Sequence, residues 1–313
     1  MTSLMTGTIA YMYFTLAQDL AEAENDSTGQ IEARIALIKA LGVLGLYNEA
    51  AKELSKVEPL QLPDHLRIEL YNCARQLYSY MMGYASWEKK YAKKYFNKNR
   101  EYRDLLLSAI DTDKNLYKIY HAERLMDDGN INLSRDILLR LLDTLNERNP
   151  DYALAMSQLA DLTEKYGSSD EAAHYLARTA ISNTKCAIKD NQSLLLLSKY
   201  LYAKGDIERA YRYLDASLFD ANFCNARLRH MQIARDMPII NQAYRNKTQQ
   251  QNSQITNLLI VTVSLLVVIF VIGLLLAWQF EKQRSSNERL KQAHRLKEKY
   301  IGQFLGLCSI YME

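Results

Sequence analysis

One uncharged stretch near the C-terminal end constrains this chain more than any other feature. Leu258 to Phe280 is a run of 23 residues without a charged side chain. At about 1.5 Å per residue, a helix of this length spans roughly 34 Å, enough for a hydrocarbon core of about 30 Å. Backbone polar groups have no partner in lipid, so the run must be helical. The sequence therefore predicts one membrane-spanning helix over residues 255–280.

Basic residues are concentrated on the C-terminal side of this helix. Residues 281–300 contain seven Lys or Arg, whereas residues 235–254 contain three. Since short cytoplasmic flanks carry an excess of positive charge, the bias favours a cytoplasmic tail. We expect a bacterial inner-membrane protein with residues 1–254 in the periplasm and residues 281–313 in the cytoplasm.

Both ends of the chain bear on this topology. Residues 1–18 contain no Lys or Arg that could form the basic region of an export signal. Helical patterns are already running at Met1 and still running at Glu313. We therefore expect a fragment that lacks a signal peptide and a further cytoplasmic part. The cysteines show no paired spacing, and a bridge between Cys186 and Cys224 stays open.

A glycine followed five residues later by a small residue recurs along the first part of the chain. The four pairs are Gly45 and Ala50, Gly129 and Ser134, Gly167 and Ala172, and Gly205 and Ala210. Gly83 follows Gly45 at the same 38-residue interval that separates the last three glycines. The pattern resembles the tetratricopeptide repeat, in which glycine permits a tight turn between two helices. The resemblance implies a helical solenoid with a concave face for a protein or peptide partner.

The predicted fold class is therefore all-α, with four segments. They are a tetratricopeptide-like repeat domain (1–220), a helical stalk (221–254), the transmembrane helix (255–280) and a cytoplasmic amphipathic or coiled-coil helix (281–313). Residues 221–247 are predicted to be one helix, with a kink before Pro238.

Tyrosines and basic residues are dense between residues 71 and 103. Trp87, Tyr91 and Tyr95 are spaced four apart, so they share one face of a helix. One interpretation is an aromatic platform edged with cations for a sugar or an anionic ligand; the other is packing between helices beside a solvated basic face that includes Arg103. The candidate binding residues are Tyr84, Trp87, Lys90, Tyr91, Lys94 and Tyr95.

No group of residues indicates catalysis. The five histidines are scattered, and no glycine-rich phosphate loop, nucleophile elbow or metal-ligand spacing occurs. We expect neither an enzyme nor a bound cofactor or metal. Nucleic acid is not an expected partner of the residues present, because the repeat domain is predicted to lie outside the cytoplasm.

The tail carries an apolar seam in alternating steps of three and four residues. Its members are Ala293, Leu296, Tyr300, Gln303, Leu307 and Ile310. Such a seam predicts a homodimer through residues 290–313. The alternative is a single amphipathic helix on the inner leaflet, since basic residues surround the seam.

Four segments together resemble one family of bacterial membrane-bound regulators. These are Asn222–Arg229, Pro238–Ile240, the membrane helix and Glu298–Cys308. In that family a single membrane helix and a coiled coil join periplasmic tetratricopeptide repeats to a cytoplasmic domain, and members include regulators of starch and other polysaccharide uptake. The resemblance implies a sensor and transcription regulator whose repeats bind a protein, a peptide or an oligosaccharide. DNA would be reached only through a missing cytoplasmic domain. The alternative function is a membrane-anchored scaffold.

Overall fold

The computed structural model describes residues 5–189 and 192–310, and within these ranges the chain is α-helical, with one short 3-10 helix and no strand. The prediction of an all-α fold is confirmed. The helices are α1 (Met5–Ala23), α2 (Ser27–Leu44), α3 (Tyr47–Leu54), α4 (Asp64–Tyr84), α5 (Lys89–Ala109), α6 (Asn115–Asp127), α7 (Ile131–Leu142), α8 (Pro150–Tyr166), α9 (Ser169–Lys185), α10 (Gln192–Ala203), α11 (Ile207–Cys224) and α12 (Arg227–Ile310), with the 3-10 helix at Pro59–Gln61.

Helices α2 to α11 form five consecutive pairs, each joined by a short turn and packed together. Gly45, Gly129 and Gly205 occupy three of these turns with φ of 76°, 85° and 80°, where a side chain is disfavoured. The small residue five positions after Gly45, Gly129, Gly167 and Gly205 is buried in each case, and Ala50 and Ala210 are completely buried. Gly167 lies in a fourth turn, between α8 and α9, with φ of −135°. The glycine pattern therefore predicted these four turns and the close packing of their helices correctly.

Gly83 does not form the turn that its spacing predicted. It lies in the last turn of α4, which ends at Tyr84, and the connection to α5 follows at residues 85–88. A Cβ atom at Gly83 would lie 3.1 Å from Cδ2 of Leu228 in α12. This glycine therefore allows a close approach between helices.

Arg103 corrects the prediction of a solvated basic face along α5. Its side chain is completely buried, and its Nη1 donates to Asp127 Oδ2 at 2.7 Å and to Glu123 Oε1 at 3.2 Å. Both carboxylates belong to α6, so the ion pairs join neighbouring repeats. Arg75 of α4 adds to this polar core, with Nη2 donating to the Tyr120 hydroxyl at 2.9 Å.

The predicted single helix over residues 221–247 is wrong at its start. Helix α11 runs to Cys224, and Asn225 ends it with φ of 52° before α12 begins at Arg227. Ile233 and Ile240 of α12 are buried in a cluster with α10 and α11. The first turns of α12 therefore pack as the opening helix of a further repeat.

The two ends of the repeat array also meet. Helix α1 contacts α11, and Phe14 and Phe223 line one apolar groove of about 470 Å³. Cys186 and Cys224 are not joined by a disulfide in this structure.

The chain divides into two compact units, one ending at Arg245 and the other beginning at Asn246. In the second unit, the apolar side chains from Leu258 to Phe280 are exposed. Within the described ranges, α12 is the one helix long and apolar enough to cross a membrane, with a mean hydropathy of 3.2 in its most apolar window.

The tail of α12 is helical and its apolar residues are exposed. Leu296, Tyr300 and Phe304 lie on one face, together with Ala293. The predicted seam positions Leu307 and Ile310 fall outside the side chains that the structure describes.

Candidate functional site

The six candidate residues from the sequence separate into two places. Tyr84 and Tyr95 line a cleft at the start of the repeat array. Trp87 and Tyr91 lie on the surface near the beginning of α5, with 78% and 48% of their areas exposed. Lys90 and Lys94 are exposed in the same part of α5. Of the predicted platform, Tyr84 and Tyr95 therefore belong to the cleft, whereas Trp87 and Tyr91 are not among its lining residues.

The cleft has a volume of about 400 Å³ and lies at the turn between α2 and α3. This volume is within the range of small-molecule pockets, about 300–1,000 Å³. We call it the Tyr47 cleft; its walls include Tyr47, Asn48 and Glu49 from α3, Tyr84 from α4, Tyr95 from α5 and Arg227 from α12. It combines aromatic rings with groups of both charges, which suits a polar ligand with flat apolar faces.

Tyr47 gives the cleft its most distinctive chemistry. Its ring meets the Tyr84 ring edge to face, with centroids 5.6 Å apart. Its hydroxyl is buried and has no hydrogen-bond partner within the described part of the chain. Burial, with a smaller effect of Tyr84, raises the pKa of Tyr47 to about 12. The hydroxyl therefore stays protonated at neutral pH and can donate a hydrogen bond to a bound group.

Gly45 explains how Arg227 reaches the wall of the cleft. A Cβ atom at Gly45 would lie 2.7 Å from Cβ and 2.8 Å from Cγ of Arg227. The arginine stem therefore rests directly on the α2–α3 turn, in space that only glycine leaves free. The first residue of α12 is in this way held against the first repeat.

Tyr95 supports the packing interpretation for part of the tyrosine cluster. Its ring lies 6.4 Å from that of Tyr78, which in turn stacks on Tyr102 at 5.5 Å. Burial raises the pKa of Tyr78 and of Tyr102. These rings join α4 to α5, and only the edge of this stack at Tyr95 contributes to the cleft.

A second cleft, of about 680 Å³, lies beside α8 and α9. Its charged groups bind one another: Arg178 Nη2 lies 3.1 Å from Glu147 Oε1, and Lys185 pairs with the same carboxylate. Arg178 Nη2 also donates to the Tyr152 hydroxyl at 2.7 Å. A ligand there would have to break these contacts, and no residue of α12 lines the walls that the structure describes.

Sequence reasoning missed Tyr47 and Arg227 as cleft residues. Tyr47 follows the turn glycine Gly45 by two positions, so the glycine pattern could have marked it. Arg227 lies in the segment 222–229 that carried the family resemblance. Neither signal indicated that the two residues, which are 180 positions apart in the numbering, would share one wall.

Comparison with known families identifies the repeat array. Residues 9–235 match the family model described as the SusR N-terminal TPR domain, where TPR stands for tetratricopeptide repeat. The match covers more than half of the chain. A comparison with curated proteins found no match.

Proposed function

The chain belongs to the family of the SusR N-terminal TPR domain, and from this premise we propose that it is a single-pass membrane sensor of a regulatory system. Domains of this repeat class mediate interactions rather than chemistry. The repeat domain lies in the periplasm and binds its ligand in the Tyr47 cleft. Helix α12 crosses the bacterial inner membrane and presents residues 281–313 in the cytoplasm, where they dimerise and act on a transcriptional effector.

One observation carries this proposal: Arg227, the first residue of α12, forms part of the cleft wall. A ligand in the cleft touches both the first repeat and the helix that contains the apolar span. Signalling requires a ligand to bind one conformational state better than another. A ligand that binds Arg227 can stabilise one position of the first turn of α12 relative to Gly45.

The lining favours an oligosaccharide as the ligand. Tyr47 and Tyr84 supply aromatic faces for the apolar side of a sugar ring, and Asn48, Glu49 and Arg227 supply hydrogen-bonding groups for hydroxyls. The buried Tyr47 hydroxyl gains a partner when a sugar oxygen enters. The resemblance to regulators of polysaccharide uptake points to the same ligand class.

Calorimetric titration of the full chain in detergent micelles with maltohexaose and with cellohexaose tests this function. We expect one of these probes to bind, and Tyr84→Ala to weaken its binding roughly tenfold, the size of one aromatic contact. Tyr166→Ala is the matched control, because Tyr166 is 57% exposed and is not among the cleft residues. Equal affinity of the Tyr84→Ala and Tyr166→Ala variants, or no binding of either sugar, would refute the cleft as an oligosaccharide site and favour the scaffold alternative.

A further inference from the structure

The beginning of α5 forms a basic and aromatic surface that the Tyr47 cleft does not use. We call it the Trp87 surface; it consists of Trp87, Lys89, Lys90, Tyr91, Lys93 and Lys94. Trp87 is 78% exposed in the turn before α5, and Tyr91 is 48% exposed one turn further on. Tryptophan and tyrosine are enriched at protein interfaces and at membrane interfaces, where one end of the side chain is apolar and the other is hydrated.

The lysines of this surface have no ion-pair partner within residues 5–189 and 192–310. The next lysine on the helix, Lys98, does have one, since its Nζ lies 2.8 Å from Glu101 Oε2. Lys94 approaches only the Tyr95 ring, at 5.9 Å from the centroid. The four charges at the start of α5 are therefore available to an external anion.

The helix itself adds to the positive potential. The first turn of α5 contains no acidic residue, although anions are favoured at a helix N-terminus and cations are disfavoured there. Glu88, the residue before the helix, accepts a hydrogen bond from the Lys90 amide at 3.1 Å and caps the end. Glu88 thus stabilises the start of α5, and its single negative charge still leaves the four lysines in excess on this surface.

We propose that the Trp87 surface docks onto an anionic lipid bilayer. Three observations select a bilayer. The surface is exposed and forms no part of a cleft among those described, which argues against a small ligand. Lysines beside tryptophan and tyrosine suit the headgroup region, where charges meet phosphates and aromatic rings sit at the interface. The same chain contains an apolar helix long enough to cross a membrane, which in the proposed function anchors the repeat domain to a bilayer.

The sequence supplies a direct reporter, because the chain has only two tryptophans, Trp87 and Trp278. In the variant Trp278→Phe, the emission of the full chain reports on Trp87 alone. We would place this chain in nanodiscs of phosphatidylcholine, with and without phosphatidylglycerol, and with acyl chains brominated to quench nearby indoles. Co-elution with lipid shows separately that the chain has entered the discs.

We expect Trp87 emission to shift to shorter wavelength and to be quenched by brominated lipid in discs that contain phosphatidylglycerol. Each lysine near an anionic surface contributes about fivefold to binding. The double variant Lys90→Gln with Lys94→Gln should therefore shift the docking equilibrium about thirtyfold toward the undocked state. Lys90→Arg with Lys94→Arg should preserve docking. The control pair Lys52→Gln with Lys114→Gln removes two exposed lysines elsewhere and should leave the emission unchanged.

Three outcomes would overturn the proposal. Equal emission in neutral and anionic discs would show that charge is irrelevant. Trp87 emission that is unchanged by the Lys90 and Lys94 substitutions would show that these lysines do not attract the surface to the bilayer. A shift without quenching by brominated lipid would mean that protein, such as a second copy of this chain, covers Trp87. The docking proposal rests on the membrane anchor of the proposed function: failure to co-elute with lipid refutes both, whereas a solvent-exposed Trp87 in lipid-bound chain refutes docking alone.

Discussion

Replacement of Gly45 by alanine should test whether α12 is seated on the first repeat. Gly45, Gly129 and Gly205 share a left-handed backbone, so alanine at each costs about 1–2 kcal/mol of folding free energy from φ alone. A Cβ at Gly129 or Gly205 meets nothing within 4 Å. At Gly45 it meets Arg227 at 2.7 Å, and such overpacking costs about 1–3 kcal/mol more.

We therefore expect Gly45→Ala to lower the free energy of unfolding by about 2–5 kcal/mol, against about 1–2 kcal/mol for Gly129→Ala and Gly205→Ala. Urea unfolding of the full chain in detergent micelles, followed by far-ultraviolet circular dichroism, measures these differences. The excess at Gly45 should disappear in the background Arg227→Gly, because that substitution removes the atoms that clash. A double-mutant cycle of the two substitutions isolates this coupling.

The reasoning would be refuted if Gly45→Ala cost no more than the two control alanines. It would also fail if the Gly45→Ala penalty were unchanged in the Arg227→Gly background. Either result would mean that the first turn of α12 does not rest on the α2–α3 turn, and the coupling between the cleft and α12 would lose its structural basis.

Three further predictions concern other parts of the chain. Arg103→Leu should destabilise the repeat domain by about 1–3 kcal/mol in urea unfolding, because it removes the ion pairs of a fully buried guanidinium with the partly buried Glu123 and Asp127. Lys98→Gln on the surface of the same helix should change stability by no more than about 0.5 kcal/mol. Burial raises the pKa of Asp161 from 3.8 to about 6, so Asp161 ionises more readily in the unfolded chain and the free energy of unfolding falls as pH rises from about 4 to about 6. Asp161→Asn should abolish that fall. An equally steep pH dependence of the free energy of unfolding in Asp161→Asn and in the unaltered protein would contradict this prediction. In nanodiscs, Leu296→Ser with Tyr300→Ser should abolish amine cross-linking of the tails into dimers, while Asn287→Ser should not. Persistence of dimers in the double variant would exclude the apolar seam as their interface.

The repeat architecture was readable from sequence because its signals are local. The glycine in the turn and the small residue five positions later are both required by the geometry of a single helix pair, as at Gly205 and Ala210. Gly83 had the right spacing but a different cause, since its neighbour is Leu228, far along the chain. Spacing alone does not distinguish a turn glycine from one that admits another helix.

The candidate site was less predictable because its residues come from helices that are far apart in the sequence and meet only in the folded repeat domain. Tyr84 and Tyr95 were expected on chemical grounds and do line a cleft, but Tyr47 and Arg227 join them from distant segments. Periodicity also failed for Arg103, which lies among surface cations in the sequence and is completely buried. Its acidic partners are on another helix, and no pattern within α5 reveals them.

The burial of Ile233 and Ile240 against α10 and α11 has a consequence for how this protein could be cut. Solenoids need a terminal helix that covers the apolar side of their last repeat, or that side is left open to aggregation. Here the first turns of α12 are that terminal covering helix, which we call the lid of the array. A protease that cleaved before Arg227 would uncover the array, whereas cleavage after Arg245 would release it with its lid in place. Any shed form of the repeat domain that remains soluble should therefore retain α12 through Arg245, where the repeat unit ends.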